Sequence, residues 1–269
     1  MLMSKLKIPF AEEHLNRLQA LLENQTPFHF VRFSDGETEI LHNRYLEIGQ
    51  GKTVFRGRTF GNEFPAFDSK RFDPRIHQEL RSDLLASATY RDEYFFKGIP
   101  TSHNNAIIDR EFMLRLNGGF SSNITFSDLF LNSNYECYRD NIVPLFSKFK
   151  HIYVVANYRS KLVGELSNAK LIEVPDNFFN CYQETLDKVM HELIDIEAGA
   201  LVLSSASSLT NIIGHKLHTR RQDIILIDIG TSINDLLSLD SRTRAYHLVQ
   251  GSLIAKLKYK LSKGYKITW

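Results

Sequence analysis

Apolar positions along this chain follow helical spacing in some stretches and unbroken short runs in others. Residues 11–23, AEEHLNRLQALLE, repeat apolar side chains at helical intervals and predict an opening helix. The apolar run 28–33 stops abruptly at Ser34-Asp35-Gly36-Glu37, and a helix-like pattern then continues to about Leu46. Residues 49–72 are rich in Gly, Arg and Phe and predict an irregular stretch, long enough to be functional rather than a mere connector. A helix over 74–87 follows, with Asp73 as cap and Pro74 at its first position, then a short strand over 94–97 that ends in Gly98-Ile99-Pro100. From residue 151 onward, strands at 151–156, 170–174, 200–204 and 223–229 alternate with helices at 160–166, 178–196 and 208–218. Such alternation predicts an α/β class: a Rossmann-like, mostly parallel sheet flanked by helices. The strands are apolar throughout, as expected when helices cover both faces.

Composition changes this picture little until the end of the chain. With 43% hydrophobic and 24% charged residues, the sequence is that of an ordinary globular protein, which excludes a disordered or fibrous class. Cys137 and Cys181 form no C-x-x-C pair, which argues against a disulfide scaffold or a cysteine zinc site and fits a reduced, cytoplasmic protein. Residues 1–10 lack a long apolar core, so no signal peptide is expected, and no apolar run approaches the ~20 residues of a membrane span. No repeat or Pro/Gly-rich linker divides the chain, so a single domain over 1–240 is expected. After Asp240 there is no acidic residue, whereas Arg242, Arg244, Lys256, Lys258, Lys260, Lys263 and Lys266 follow. A net charge of +2 therefore hides an acidic body and a basic tail. Leu253, Ile254, Leu257 and Leu261 fall at helical spacing, so 241–269 reads as a basic amphipathic helix. It would either lie on an anionic membrane or pack its Leu face on the body.

Candidate chemistry is narrowed first by exclusion. Gly49-Gln50-Gly51-Lys52-Thr53 ends like a Walker A loop, but its first glycine would fall at Leu46. No G-x-G-x-x-G opens a helix, which disfavours a dinucleotide. Ser204-Ser205-Ala206-Ser207-Ser208 lacks the glycines of a nucleophile elbow, and His191-Glu192 lacks a second histidine for a zinc hydrolase. His215 and His218, three apart beside Lys216 and Arg220, read as a solvated helix face. Four strand-end turns remain. Asp35-Gly36-Glu37 offers carboxylates, and Asn157-Tyr158-Arg159-Ser160-Lys161 offers hydrogen bonds and two cations at a helix start. Residues 204–208 offer hydroxyls, and Asp228-Ile229-Gly230-Thr231-Ser232, with Asn234 and Asp235, offers further acids. Each alone is an ordinary turn, and Asp35 and Glu37 would also suit a helix N-cap. In a parallel sheet, however, all four share the carboxyl edge, where ligands bind. One or two carboxylates there suffice for a divalent cation that carries substrate phosphates.

These motifs, in this order, resemble the bacterial GT-D-fold glycosyltransferases, a family with an Asp-x-Glu motif first catalogued as a domain of unknown function. The similarity rests on Arg32-Phe33-Ser34-Asp35-Gly36-Glu37, on Gly98-Ile99-Pro100 and on Ser160-Lys161-Leu162. It extends through Pro175-Asp176-Asn177-Phe178-Phe179-Asn180-Cys181-Tyr182 to Ile227-Asp228-Ile229-Gly230. Two departures stand out. Thr231-Ser232-Ile233-Asn234-Asp235 replaces the family's His-and-acid segment, and Ser205-Ala206-Ser207-Ser208 replaces a Gly-Pro turn. The resemblance implies a GT-D-type single domain, a nucleotide-sugar donor such as a UDP-sugar, and Mn²⁺ or Mg²⁺ at Asp35 and Glu37. It also implies a glycan, lipid-linked or protein-linked acceptor in bacterial surface glycan synthesis, with no nucleic acid involved. Arg32, Ser34, Gly36, Asn157, Arg159, Ser160, Lys161, Asn177, Tyr182 and Ser205 become the expected nucleotide-sugar-binding residues. Asp235, then Asp228, is the expected catalytic base. Tyr182 and Phe179 could equally be core, and Asp228 a strand-end cap. The rival readings are a metal-dependent phosphohydrolase or nucleotidyltransferase on the same carboxylates, and a non-catalytic nucleotide-sugar-binding domain. A cytoplasmic protein, held at the inner face of the membrane by its tail, completes the expectation.

Overall fold

A computed structural model describes residues 11–61, 64–100, 104–240 and 245–247, together with positions 253, 254, 257 and 261. Its strands are β1 (His29–Arg32), β2 (Leu46–Ile48), β3 (Thr53–Phe55), β4 (Arg58–Phe60), β5 (Lys70–Phe72), β6 (Phe95–Ile99) and β7 (Ile124–Phe126). The second half adds β8 (Ile152–Asn157), β9 (Lys170–Val174), β10 (Leu201–Ser204) and β11 (Ile225–Asp228). Seven of these form one parallel sheet in the order β7-β6-β1-β11-β10-β8-β9. The α-helices are α1 (Ala11–Glu23), α2 (Asp35–Leu41), α3 (Gln78–Thr89), α4 (Asn104–Leu116), α5 (Tyr135–Cys137), α6 (Tyr182–Ile194) and α7 (Ser208–His218).

Strand periodicity divides the core in two. Phe28 and Phe30 enter one apolar cluster with the leucines of α1, whereas Val31 and Phe33 enter another with α3, α6 and α7. Both faces of the sheet are therefore covered, which is why its strands are mostly apolar. At the crossing of α7 and β1 a Cβ on Gly214 would stand 2.6 Å from Val31 Cγ1, so this contact requires glycine. Both cysteines are free. Among the described residues no helix is long and apolar enough to cross a membrane.

Several expected elements are corrected. The helix after the Asp-Gly-Glu turn ends at Leu41 instead of Leu46, because Asn43 at φ 59° turns the chain into β2. Residues 49–72 are not irregular: β4-β3-β2-β5 make an antiparallel sheet. Arg56 and Gly57, both at positive φ, turn β3 into β4, and three-residue strands carry too little alternation to be read. The helix over 74–87 starts only at Gln78, since the Asp73 carboxylate accepts the Arg75 N–H at 2.9 Å and closes a separate turn. Residues 160–166 contain no α-helix. Lys161 and Val163 donate their N–H groups to Leu237 O and Leu236 O, and a single 3₁₀ turn covers Gly164–Leu166. Tyr246, assigned to the tail, is buried in the body's core. Leu253, Ile254, Leu257 and Leu261 are helical and exposed, so they do not pack on the body. The rest of the proposed tail helix lies outside the described residues.

Candidate functional site

Three adjacent strands, β1, β11 and β10, deliver their carboxyl ends to one cavity of about 540 Å³. From β1 come Arg32 and the Ser34–Glu37 turn. From β11 come Asp228, Gly230 and Thr231, and from β10 come Ser205 and Ser207. Glu37 sits at the third position of α2 and closes a capping box: its Oε2 accepts from Ser34 N at 3.1 Å and Ser34 Oγ at 2.6 Å. Its other oxygen, Oε1, accepts from Ser207 Oγ at 3.2 Å. Asp35, two residues earlier, is exposed and lines the same cavity. The cap and the cavity wall are thus one motif.

Beneath them lies a buried ion pair. Arg32 Nε stands 3.1 Å from Asp228 Oδ1, and the Arg32 backbone N–H donates to Asp228 Oδ2 at 3.1 Å. Arg32 Nη1 donates to Ser127 O, and Asn211 of α7 donates to Arg32 O. Burial pushes the Asp228 carboxyl up to about 6 against the pull of Arg32, with the Glu37 charge adding to the rise. Burial alone would lower Arg32, but Asp228 more than offsets it and holds the guanidinium above its ordinary value. Gly230, at φ 53°, makes room for this pair, because a Cβ there would fall 1.8 Å from Arg32 Nη2.

The wall opposite has no local signature in the sequence. The antiparallel sheet contributes Phe55, Arg56, Phe60 and Lys70, α4 contributes Asp109, and the segment after β7 contributes Asp128. Arg56 ion-pairs with Asp109 and with the buried Glu39. Lys70 Nζ donates to Ser207 Oγ at 3.0 Å. Tyr246 closes a further side, its hydroxyl 2.6 Å from Thr231 Oγ1. No sequence spacing links these residues, which meet only because separate elements fold over one edge.

The remaining expected residues lie elsewhere. Asn157, Arg159, Ser160, Lys161, Asn177, Tyr182 and Asp235 do not line the cavity. Asn157 donates to Asp176, and Arg159 ion-pairs with Asp176 at 2.6 Å, so the turn after β8 closes on the turn after β9. With no helix beginning at Ser160, no helix N-terminus is presented there. Tyr182 is core: its hydroxyl donates to Asp83 Oδ2 at 2.5 Å, and burial raises its pKa. Asp235 pairs with Arg139 at 2.6 Å. Asn177 bonds the antiparallel sheet, not the cavity.

Among the described residues no group of three or more His, Cys, Asp or Glu side chains could enclose a metal ion. The donor set instead suits a hard cation shared with a ligand. Asp35 and Glu37 supply carboxylate oxygens, and phosphate and water would complete the shell.

Fold and site together define an α/β protein with a carboxylate-lined cavity at the carboxyl edge of a parallel sheet. No protein-family model and no curated protein matches the sequence. Solved structures do match. A new glycosyltransferase (DUF1792) from Streptococcus sanguinis is 16% identical, covers 87% of this chain and 83% of its own, and superposes with a TM-score of 0.54. A structure of the domain of unknown function 1792, described as having a distinct glycosyltransferase fold, is also 16% identical. It covers 95% of this chain and 90% of its own, with a TM-score of 0.51. This chain has the fold of the DUF1792 glycosyltransferases.

Proposed function

We propose that this protein is a metal-dependent glycosyltransferase that moves a sugar from a nucleotide-sugar, a UDP-sugar by resemblance, to a hydroxyl of a glycan, glycolipid or glycoprotein acceptor in bacterial surface glycan synthesis. One observation carries the reading: Asp35, Glu37 and the buried Asp228 share a single cavity, in a chain with the DUF1792 glycosyltransferase fold. Asp35 and Glu37 would hold Mn²⁺ or Mg²⁺, which when bound neutralises charge on the donor diphosphate. In the transfer, the bond from the anomeric carbon to the β-phosphate oxygen breaks and its electron pair stays on that oxygen. The acceptor oxygen bonds to the anomeric carbon, and its proton passes to Asp228. A carboxyl raised to about 6 is ionised at neutral pH yet basic enough to take that proton. Arg32 keeps Asp228 oriented. We further propose that the protein works in the cytoplasm at the inner face of the membrane, with 241–269 lying on anionic lipid.

The test is turnover of UDP-, GDP- and dTDP-sugars with and without Mn²⁺. Glu37→Gln is the informative variant, because glutamine still accepts from Ser34 in a capping box but loses the metal-binding charge. The expected outcome is a folded protein whose nucleoside diphosphate release falls by about a hundredfold or more, as it should in Asp35→Asn. Unchanged turnover would overturn the metal assignment. Phosphate or pyrophosphate as product would favour the hydrolase or nucleotidyltransferase instead. Donor binding without turnover would favour a binding domain.

A further inference from the structure

Among the described residues three cations line the cavity, and two of them are already neutralised: Arg32 by Asp228, and Arg56 by Asp109 and Glu39. Lys70 differs. Among the described residues its ammonium has no carboxylate partner and bonds a hydroxyl, Ser207 Oγ, which in turn donates to Glu37 Oε1. Two of its three N–H donors are left for a ligand. Its ammonium lies over the Asp35-Gly36-Glu37 turn: a Cβ on Gly36 would stand 3.8 Å from Lys70 Nζ. Ser207, held at φ 52° and ψ −142°, is in a conformation that non-glycine residues avoid, and bonds to Lys70 and Glu37 tie its hydroxyl between them.

The segment carrying Lys70 is held from outside the cavity. The Asn177 backbone N–H donates to Ser69 O at 3.1 Å, and its side-chain Oδ1 accepts from Arg71 N at 2.8 Å. One residue therefore grips the chain on both sides of Lys70. It does so from a left-handed conformation, φ 44° and ψ 52°, which asparagine tolerates better than most residues. On β5's other edge, β2 pairs Ile48 with Lys70. The backbone at Lys70 cannot shift without breaking one of these, and its side chain is tied in turn to Ser207 Oγ.

We propose that Lys70 is the cation that binds the donor diphosphate and takes up charge on its leaving oxygen, and that Asn177 is the positioning residue for Lys70. This rests on the glycosyltransferase reading above. It assigns the antiparallel sheet a role in substrate binding and gives Asn177, which does not reach the cavity, a role through Lys70.

The experiment is equilibrium titration of the full chain with inorganic pyrophosphate and with UDP, both in Mg²⁺. Lys70→Met should weaken both by about ten- to a hundredfold, the loss of one charge-assisted contact. Lys70→Gln serves if the methionine variant does not fold. Lys52→Met, which removes an exposed cation between β2 and β3, should leave both affinities unchanged. Asn177→Ala should weaken both ligands in the same direction, and Lys70→Met/Asn177→Ala should bind no more weakly than Lys70→Met alone. That non-additivity would not arise if Asn177 merely stabilised the fold. Affinities within twofold of wild type in the lysine variants overturn the assignment while leaving the glycosyltransferase reading intact. Additive losses overturn the role of Asn177. If the wild type binds neither pyrophosphate nor UDP, GDP or dTDP, both the assignment and the function beneath it fall.

Discussion

Arg32 is fastened on every side: by Asp228, by Ser127 O and, through its own carbonyl, by Asn211. Gly230 is the residue that permits this, since its positive φ and missing Cβ leave the space that Arg32 Nη2 fills. Gly230→Ala is therefore expected to push the guanidinium off Asp228, leaving a buried carboxyl without its partner. The cost should be about 1–3 kcal/mol, read as a lower urea midpoint with an unchanged slope. An unchanged midpoint would show that Arg32 can relax elsewhere at no cost. Arg32, Asp35, Glu37, Ser205 and Asp228 were legible in the sequence because each sits within a few residues of a strand end, and strand ends can be read from apolar runs. Lys70 and Tyr246 were not. Nothing local to Lys70 distinguishes it from Arg71, and only the pairing of β5 with β2 turns one toward the cavity.

Elements meet here through a few polar ties as well as through apolar packing. Lys97, on β6, is fully buried, and its Nζ donates to Ala88 O and Tyr90 O at 2.8 and 2.7 Å, capping the end of α3. Burial, with the charge of Arg91, lowers Lys97 to about 7. A neutral amine keeps two N–H donors, enough for both carbonyls. Because the folded pKa lies below the unfolded one near 10.4, the unfolded chain binds the extra proton between them, and stability rises with pH over that window. Denaturant unfolding from pH 7 to 9 should show a gain of about 1–3 kcal/mol in the wild type, absent in Lys97→Met. Equal pH slopes in the two proteins would contradict the shift. The elements themselves divide by length. Six strands of the parallel sheet and α7 follow from apolar runs and caps, whereas β2 to β5 and β7 are too short to show a pattern. The expected helix at 160–166 is displaced by backbone bonds to Leu236 and Leu237, some 75 residues onward, which no local pattern signals.

At the scale of the molecule, a parallel sheet with both faces covered leaves its carboxyl edge as the place for a polar cavity. The opposite charge of body and tail bears on where such a molecule works. Leu253, Ile254, Leu257 and Leu261 are exposed on helical positions, and the sequence around them is basic. Removal of 241–269 would also take away the buried Tyr246, so the cleaner test is truncation after residue 250. The truncated chain should lose binding to vesicles containing phosphatidylserine or phosphatidylglycerol, and the intact chain should lose it as salt rises. Retained binding would place the contact on the body. The sequence by itself determined the α/β class, the ends of six parallel strands and the carboxylates at the ends of β1 and β11, because those depend on local periodicity and on turn chemistry. Only the tertiary structure decided which turns share a cavity. Strand order sets β1, β11 and β10 side by side, whereas the turn after β8 bonds Asp176 and Leu237 instead. Adjacency in a sheet is fixed by long-range packing, and no pattern within one strand encodes its neighbours.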